Sequence, residues 1–469
     1  MVDSTKIDGA TGNRRDMRKA YIRTFGCQMN VYDSDGLAAR LASAGWEMTS
    51  DPREAELWIV NSCSVRAKSE HKAISELGRL ASIKARKGKG VLALVGCVAQ
   101  QHADAILERQ PACDLVVGTR AYGRFLELVE RAMAGERIAD VGDEGEGGIE
   151  SLHPKSNICP NGVVAFVPVM RGCNNFCSYC IVPYVRGPEV SRAPADVIRE
   201  VEALVARGVR EVTLLGQNVN SYGRGTDYGD FADLLQRVSE VDGLVRIRFT
   251  TSHPKDFTDR LCEVMAENPK VCKHLHLPFQ SGSNRILELM NRGYTREEYI
   301  EKVARARERI GELAVSADVM VGFCTETEDD FIQTLDLIET VGFDGLFTFR
   351  YTPRPFSKAY NWADGLPYRE KIRRLQAVQD LQNRIQLERN RELVGKEVRV
   401  LVERRDKKRA NWMTGRTEQN RVVHFYSAGA DAGNVVRVKI ERAFTHHLEG
   451  VEAHEGERKE EVVSSNVQG

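Results

Sequence analysis

No stretch of this chain stays apolar over the roughly 20 residues that a helix needs to cross a bilayer, so a helical membrane span is excluded. Met1 to Lys19 has no apolar core of the kind a secretory leader carries; it holds charges of both signs and reads as a disordered lead-in. Excess charge is missing too. Lys plus Arg and Asp plus Glu balance at 67 each, so a polyanionic partner would have to be met by a local patch. Eleven cysteines in 469 residues are too few for a disulfide scaffold. With no export signal they read as free thiols in a reducing, cytoplasmic setting, available to metals.

What is present is organised around Met170-Arg171-Gly172-Cys173-Asn174-Asn175-Phe176-Cys177-Ser178-Tyr179-Cys180. The apolar run Val163 to Val169 predicts a strand that delivers this C-x3-C-x2-C loop. Three thiolates at that spacing can hold three irons of a [4Fe-4S] cube and leave the fourth open to a small molecule. A zinc site is the competing reading, but zinc loops pair one C-x2-C with a second, which is not found here. The spacing resembles the signature of the radical S-adenosylmethionine (SAM) superfamily. That resemblance implies SAM on the open iron, a 5′-deoxyadenosyl radical on its cleavage, and Tyr179 lying against the adenine.

The length predicts two or three domains. The expected division is a lead-in at 1–18, an α/β domain at 19–140, a linker at 141–161, a barrel at 162–392, a small β domain at 393–452 and a disordered tail at 453–469. In the first domain, strands are expected at Tyr21 to Gly26, Leu57 to Val60, Val91 to Val95 and Leu115 to Val117, with helices at Tyr32 to Ala44 and Val65 to Lys84. Alternation of this kind implies a parallel sheet with helices on both faces. The first three strands each run into a cysteine: Cys27, Cys63 and Cys97. Carboxyl ends of strands form the ligand crevice of open α/β sheets, so three thiols far apart in sequence converge there. Gly26 and Gly96 are read as making room for a bulky ligand.

From Val163 to Arg391, six strand-helix units predict a partial barrel with its chemistry at the carboxyl ends of the strands. Gly216-Gln217-Asn218, Thr250-Thr251-Ser252-His253-Pro254 and Gln280-Ser281-Gly282-Ser283 follow three of those strands. A charged helix from Lys371 to Leu393 is expected to pack across the barrel through Ile372, Leu375, Val378 and Leu381. Beyond it, strands at Val398 to Val402, Val422 to Phe425 and Val435 to Ile440 predict a small β-barrel. Lys396 to Arg442 holds 12 Lys or Arg against 6 Asp or Glu, with Arg404 to Arg409 in a loop. Such a surface suits a phosphate backbone, with Trp412 or Tyr426 available to stack on a base.

Taken together and in order, several motifs resemble the MiaB-type tRNA methylthiotransferases. They are Cys27-Gln28-Met29-Asn30, Cys63-Ser64-Val65-Arg66, Gly96-Cys97-Val98-Ala99, the three-cysteine loop, Leu214 to Tyr222, Thr250 to Pro254 and Thr414 to Arg421. The resemblance implies an auxiliary [4Fe-4S] cluster on Cys27, Cys63 and Cys97, a radical SAM cluster on Cys173, Cys177 and Cys180, and a C-terminal TRAM domain that holds tRNA. The implied substrate is isopentenylated adenosine 3′ of the anticodon, and the implied product carries a 2-methylthio group. One SAM would supply the methyl group and another the radical. Both open cluster corners would face one chamber. A methylthiotransferase acting on another tRNA adenosine or on a ribosomal protein side chain is the alternative. A small-protein electron donor such as flavodoxin or ferredoxin, a sulfur donor for the auxiliary cluster, and a monomeric state complete the expectation.

Glu189, Ser191 and Arg192, in a run that matches the family, are expected at SAM, Arg192 through the SAM carboxylate; Gln217 and Gln280 are second candidates. Two departures stand out. Cys324-Thr325 occupies a place where the family usually has Pro-Gly, and Phe356-Ser357 one where Gly-Thr is usual. Cys113, Cys159, Cys262 and Cys272 read as packing or incidental residues.

Overall fold

The computed structural model describes residues 17–65, 67–142 and 162–453. Cys159, Arg66 and most of the expected lead-in, linker and tail lie outside that range. The chain forms two compact units, and Tyr184–Arg186, from just after the three-cysteine loop, group with the first.

The first unit is a parallel sheet of β1 (Lys19–Phe25), β2 (Glu47–Met48), β3 (Leu57–Ser62), β4 (Val91–Gly96), β5 (Leu115–Val117) and β6 (Ile138–Asp140), ordered β2-β1-β3-β4-β5-β6. Its helices are α1 (Gln28–Ser43), α2 (Ala67–Lys87), α3 (Cys97–Arg109) and α4 (Phe125–Met133). Strand alternation splits the core in two. Leu57, Ile59, Ala93 and Val95 meet Leu37, Leu41, Phe125 and Leu128, while Trp58, Val60, Leu92 and Leu94 meet Ala73, Leu77, Leu80 and Ile106. Each large side chain so buried stabilises the sheet by about 1.5–3 kcal/mol. The edge strands β2 and β6 add to the four strands expected; being only 2 and 3 residues long, they carry no period to read.

The second unit begins with β7 (Val164–Pro168), β8 (Met170–Arg171), α5 (Val182–Arg186, whose last three residues join the first unit) and β9 (Val190–Ser191). It continues through α6 (Pro194–Val205), β10 (Glu211–Leu215), α7 (Phe231–Ser239), β11 (Arg246–Phe249), α8 (Asp259–Glu267), β12 (His274–His276), α9 (Asn284–Leu289), α10 (Arg296–Ile310), β13 (Ala314–Val321), α11 (Glu328–Val341), β14 (Gly345–Arg350) and α12 (Tyr368–Arg391). The six expected barrel strands form two parallel sheets of three, β11-β10-β7 and β12-β13-β14. One core, including Val167, Leu214, Ile247, Leu275, Val319 and Phe343, runs under the helices. On α12, Val378 is buried and Leu375 and Leu381 pack on that core, but Ile372 is 38% exposed, so the expected apolar stripe starts one turn later.

The last strands, β15 (Glu397–Arg405), β16 (Trp412–Thr417), β17 (Val422–Tyr426), β18 (Val435–Ala443) and β19 (Leu448–Glu452), close a barrel in the order β15-β16-β17-β19-β18. The sequence reading found three of the five. β16 holds Thr414-Gly415-Arg416 at its centre and β19 holds Glu449-Gly450, so neither has an apolar run. Gly415 and Gly450 are needed there because a Cβ would stand 2.1 Å from the carbonyl of Leu401 or Lys439 on the neighbouring strand.

This small barrel is fastened to the amino ends of the parallel strands. Arg246, the first residue of β11, donates to Arg416 O at 2.7 Å, and Arg248 donates to Thr417 O at 2.6 Å and Glu418 O at 2.9 Å. Arg421 pairs at 2.6 Å with Asp344, just before β14. The three-cysteine loop lies at the other end of these strands, beyond the carboxyl end of β7.

Candidate active site

In the first unit Cys27, Cys63 and Cys97 sit at the carboxyl ends of β1, β3 and β4. Cys63 is hydrogen-bonded to both of the others, so the three thiols form one row. Cys63 and Cys97 are each 3% exposed, while Cys27 opens to solvent. Two helices begin at the row: Cys27 is the N-cap of α1 and Cys97 the first residue of α3. Their amino ends favour negative charge.

Beneath the thiols a buried amide network fixes the strand ends. Asn30 Nδ2 donates to Asn61 Oδ1 at 3.1 Å and Ser62 O at 3.2 Å, and Asn61 Nδ2 donates to Asn30 O and Ser34 Oγ at 2.9 Å each. Gly26 and Gly96 make room for this packing. A Cβ on Gly26 would lie 2.2 Å from Asn30 Oδ1, and one on Gly96 (φ +99°) 2.4 Å from Ser62 O.

The hydrogen bond from Cys63 holds the Cys27 thiol down to about 6, with the charge of Arg186 adding to it. The same two partners lower Cys97 to about 7, and Cys63 rises in compensation because it keeps the shared proton. Among the described residues no group of three or more His, Cys, Asp or Glu side chains is set to hold a single metal ion. An all-thiol donor set with two low-pKa members suits an iron–sulfur cluster, whose own sulfides fill the space between irons.

In the second unit Gly172 to Ile181 form an irregular loop after β8. Gly172 has φ +75°, and a Cβ there would stand 1.8 Å from Pro188 O, so the close return of the chain requires glycine. Cys173 and Cys177 are each 8% exposed and Cys180 is intermediate. Burial pushes Cys173 up to about 11 and Cys180 up to about 12, so these thiols hold their protons until a cation displaces them. Here too the donors are three thiols. Cys324 is spent elsewhere, 1% exposed in a small core with Phe323, Tyr351 and Ala359. Cys113, Cys262 and Cys272 are likewise buried.

The remaining expected residues brace this loop or its neighbours. Gln217 Oε1 accepts from Gly172 N at 2.5 Å. Glu189 Oε1 accepts from Asn174 N and Glu189 N donates to Asn174 Oδ1, both at 3.2 Å. Ser191 Oγ accepts from Gly223 N at 2.9 Å. Arg192 is 2% exposed, paired with Glu200 at 2.7 Å and donating to Pro168 O at 2.6 Å, so its charge is already met inside the barrel. Gln280 is 8% exposed in left-handed backbone at φ +67°. Tyr179 lies edge-on to Phe323, with ring centroids 6.5 Å apart. His253 is 5% exposed and caps a turn, its Nδ1 accepting from Lys255 N at 3.3 Å; burial lowers it to about 2, which leaves it neutral.

Sequence reasoning missed the clamp behind the loop. Ser178 N donates to Met290 O at 3.1 Å, Ser178 Oγ donates to Leu289 O at 2.7 Å, and Asn291 Nδ2 reaches Asn175 O and Phe176 O at 3.2 Å. Arg292 Nη1 donates to Cys177 Sγ at 3.4 Å. An Arg-Gly-Tyr turn directly after a helix was the available signal. Thr325 (φ +62°) and Phe356 (φ +72°), at the two departures from the family pattern, both hold left-handed backbone.

Residues 167–338 match the radical SAM superfamily, 19–118 match the uncharacterized protein family UPF0004, and 391–451 match the TRAM domain. The tRNA-2-methylthio-N(6)-dimethylallyladenosine synthase of Syntrophobacter fumaroxidans is 49% identical over 92% of this chain and 95% of its own length. The chain belongs to that family. The protein of the same name from Geobacter metallireducens is also 49% identical, over 92% of this chain and 97% of its own. Among solved structures, a radical S-adenosylmethionine methyltransferase, TsrM, from Kitasatospora setae with cobalamin and [4Fe-4S] cluster bound has a TM-score of 0.53 at 14% identity, covering 73% of this chain and 74% of that one. It speaks for the fold of the synthase family member described here.

Proposed function

We propose that this chain is a radical SAM tRNA methylthiotransferase that converts isopentenylated adenosine 3′ of the anticodon into its 2-methylthio derivative. The observation that carries the proposal is near-full-length identity of 49% to a tRNA-2-methylthio-N(6)-dimethylallyladenosine synthase; the thiols at the carboxyl ends of β1, β3 and β4 and those in the three-cysteine loop support it. Cys27, Cys63 and Cys97 would hold the auxiliary [4Fe-4S] cluster, and Cys173, Cys177 and Cys180 the SAM-binding one. When bound, these clusters and SAM supply a sulfur, a methyl group and a carbon radical, as an aromatic C–H that is neither acidic nor easily displaced demands.

The protein's own residues supply position. Gln217 and Glu189 hold the backbone of the three-cysteine loop at Gly172 and Asn174, so the thiols stay in register as protons leave and iron enters. Tyr179 offers a ring beside Cys180 to an adenine. Arg192 acts through Glu200 and the carbonyl of Pro168, supporting the loop that follows β9. On the closing β-barrel, Arg404, Lys407 and Lys408 are exposed and make no ion pair among the described residues, which suits a phosphate backbone. Trp412 is covered by Arg409 at 3.8 Å, whereas Tyr426 is 44% exposed and is the better stacking platform. A small-protein electron donor and a sulfur donor complete the turnover cycle, and the monomer is the working unit.

The test is anaerobic incubation of cluster-loaded protein with SAM, a reductant and an isopentenylated anticodon stem-loop. Expected products are 5′-deoxyadenosine and 2-methylthio-isopentenyladenosine. In Cys27→Ala, 5′-deoxyadenosine persists while the methylthio product is lost. A cluster-replete sample that yields neither product overturns the proposal.

A further inference from the structure

Arg292 is 4% exposed, and all three of its guanidinium nitrogens are hydrogen-bonded. Nη1 donates to Cys177 Sγ and to Tyr179 Oη, both at 3.4 Å; Nε donates to Tyr294 Oη at 3.0 Å; Nη2 donates to Pro278 O at 2.7 Å. None of these partners is a carboxylate. Among the described residues Arg246, 3% exposed, bonds two carbonyls with Glu418 4.0 Å away, and four other deeply buried arginines have a carboxylate in direct contact. Arg186 faces Asp33, Arg192 faces Glu200, Arg248 faces Glu211 and Arg374 faces Glu326, each within 2.8 Å. A guanidinium does not shed its proton, and an interior cation without a counter-charge is strongly unfavourable. Among the described residues no carboxylate pairs with Arg292, and its Nη1 is turned to the sulfur of Cys177.

Three thiolates around an iron–sulfide cube bring a counter-charge, since such an assembly is net negative whether oxidised or reduced by one electron. We propose that Arg292 is the charge-compensating and positioning residue of the cluster on Cys173, Cys177 and Cys180, and that its N–H to the Cys177 sulfur raises the reduction potential of that cluster. Hydrogen bonds to sulfur and nearby positive charge both stabilise the reduced form. On reduction, one electron passes from a low-potential donor such as dithionite to the cluster; no bond breaks, and the guanidinium keeps its protons. Tyr294 and the Pro278 carbonyl act behind Arg292, fixing the fork that faces Cys177. The inference rests on the proposed cluster at this loop.

The experiment is a redox titration followed by electron paramagnetic resonance. It uses the full chain carrying Cys27→Ala, Cys63→Ala and Cys97→Ala, so that only the barrel cluster is loaded, and iron is counted in every sample. Arg292→Gln keeps a donor without the charge, and Arg292→Lys keeps the charge. The expected result is a midpoint potential shifted negative in Arg292→Gln and restored towards the parent in Arg292→Lys. If Arg292→Gln takes up no iron while Arg292→Lys loads with a parental potential, the charge requirement also stands. An unchanged potential in a fully loaded Arg292→Gln overturns the inference, as does loss of iron from both variants in a folded protein. If the parent itself binds no iron, the failure lies with the proposed cluster and not with Arg292.

Discussion

Arg186 Nη2 stands 2.8 Å from Asp33 Oδ2, with the two side chains 7% and 0% exposed. Asp33 belongs to α1, and Arg186 ends the short helix that follows the three-cysteine loop. Removing one partner leaves the other charge buried alone, at a cost of about 3–5 kcal/mol, whereas removing both together costs far less. Arg186→Met and Asp33→Leu are each expected to lower the denaturant midpoint of the first unit. The double variant Arg186→Met with Asp33→Leu is expected to recover most of the loss. Strictly additive losses in the double-mutant comparison would contradict the pairing.

The two thiol trios should differ in reactivity when metal-free. A thiolate is the nucleophile, and Cys27 is both exposed and lowered to about 6, so iodoacetamide should label it fully at pH 7. Cys173 and Cys180, raised to about 11 and about 12, should stay unlabelled in the folded protein from pH 6 to about 9. The sign for stability follows. A raised thiol stabilises the fold below its ordinary value of 9.0 and loses that contribution as pH climbs to the folded value. Metal-free protein should therefore weaken between pH 9 and about 12 on account of the barrel loop. Peptide mass mapping after labelling reads the first point, and thermal melts against pH read the second.

RNA binding should carry a measurable share from Arg404, Lys407 and Lys408. Each phosphate neutralised contributes about 0.7 to the slope of log affinity against log salt on a single strand, so replacing all three with alanine should flatten the slope by about 2. Anisotropy of a labelled anticodon stem-loop over a salt series measures it. A slope equal to the parent's would remove this loop from the RNA interface.

Phe356 holds φ +72° although its side chain is 59% exposed. Left-handed backbone costs a non-glycine residue about 1–2 kcal/mol, and glycine gives back about 0.4–1 kcal/mol of that through the freer unfolded chain. Phe356→Gly is expected to raise stability by up to about 1 kcal/mol. Thr325→Gly should gain less, because the Thr325 hydroxyl accepts from Arg285 at 3.3 Å and that bond would be lost. Denaturant midpoints of the two variants check both statements. A destabilised Phe356→Gly would mean that the ring is held by packing rather than tolerated.

Much of this architecture was legible in the chain. Strand-then-cysteine repeats placed Cys27, Cys63 and Cys97 at one sheet edge, because a parallel sheet aligns the carboxyl ends of its strands whatever the distance in sequence. The six barrel strands were legible from apolar runs or, in β11 and β12, from alternation of apolar and polar residues. What stayed hidden depends on contacts that local pattern does not encode. Arg292 meets Cys177 across 115 positions, and Arg186 meets Asp33 across 153. Glu189 and Gln217 were read as reaching for a ligand because their polarity was visible and their partners, Asn174 N and Gly172 N, were backbone groups. β16 and β19 hid because a barrel that brings strands close needs glycine where an apolar residue would have marked a strand.

The two trios also differ in how the chain brings them together. Cys173, Cys177 and Cys180 are neighbours in the covalent chain, so a short flexible loop brings them together with little loss of entropy. Cys27, Cys63 and Cys97 meet only after three strands have paired and the amide network of Asn30 and Asn61 has closed beneath them. The first trio therefore depends on the integrity of a whole sheet, whereas the second is carried by one continuous stretch of chain.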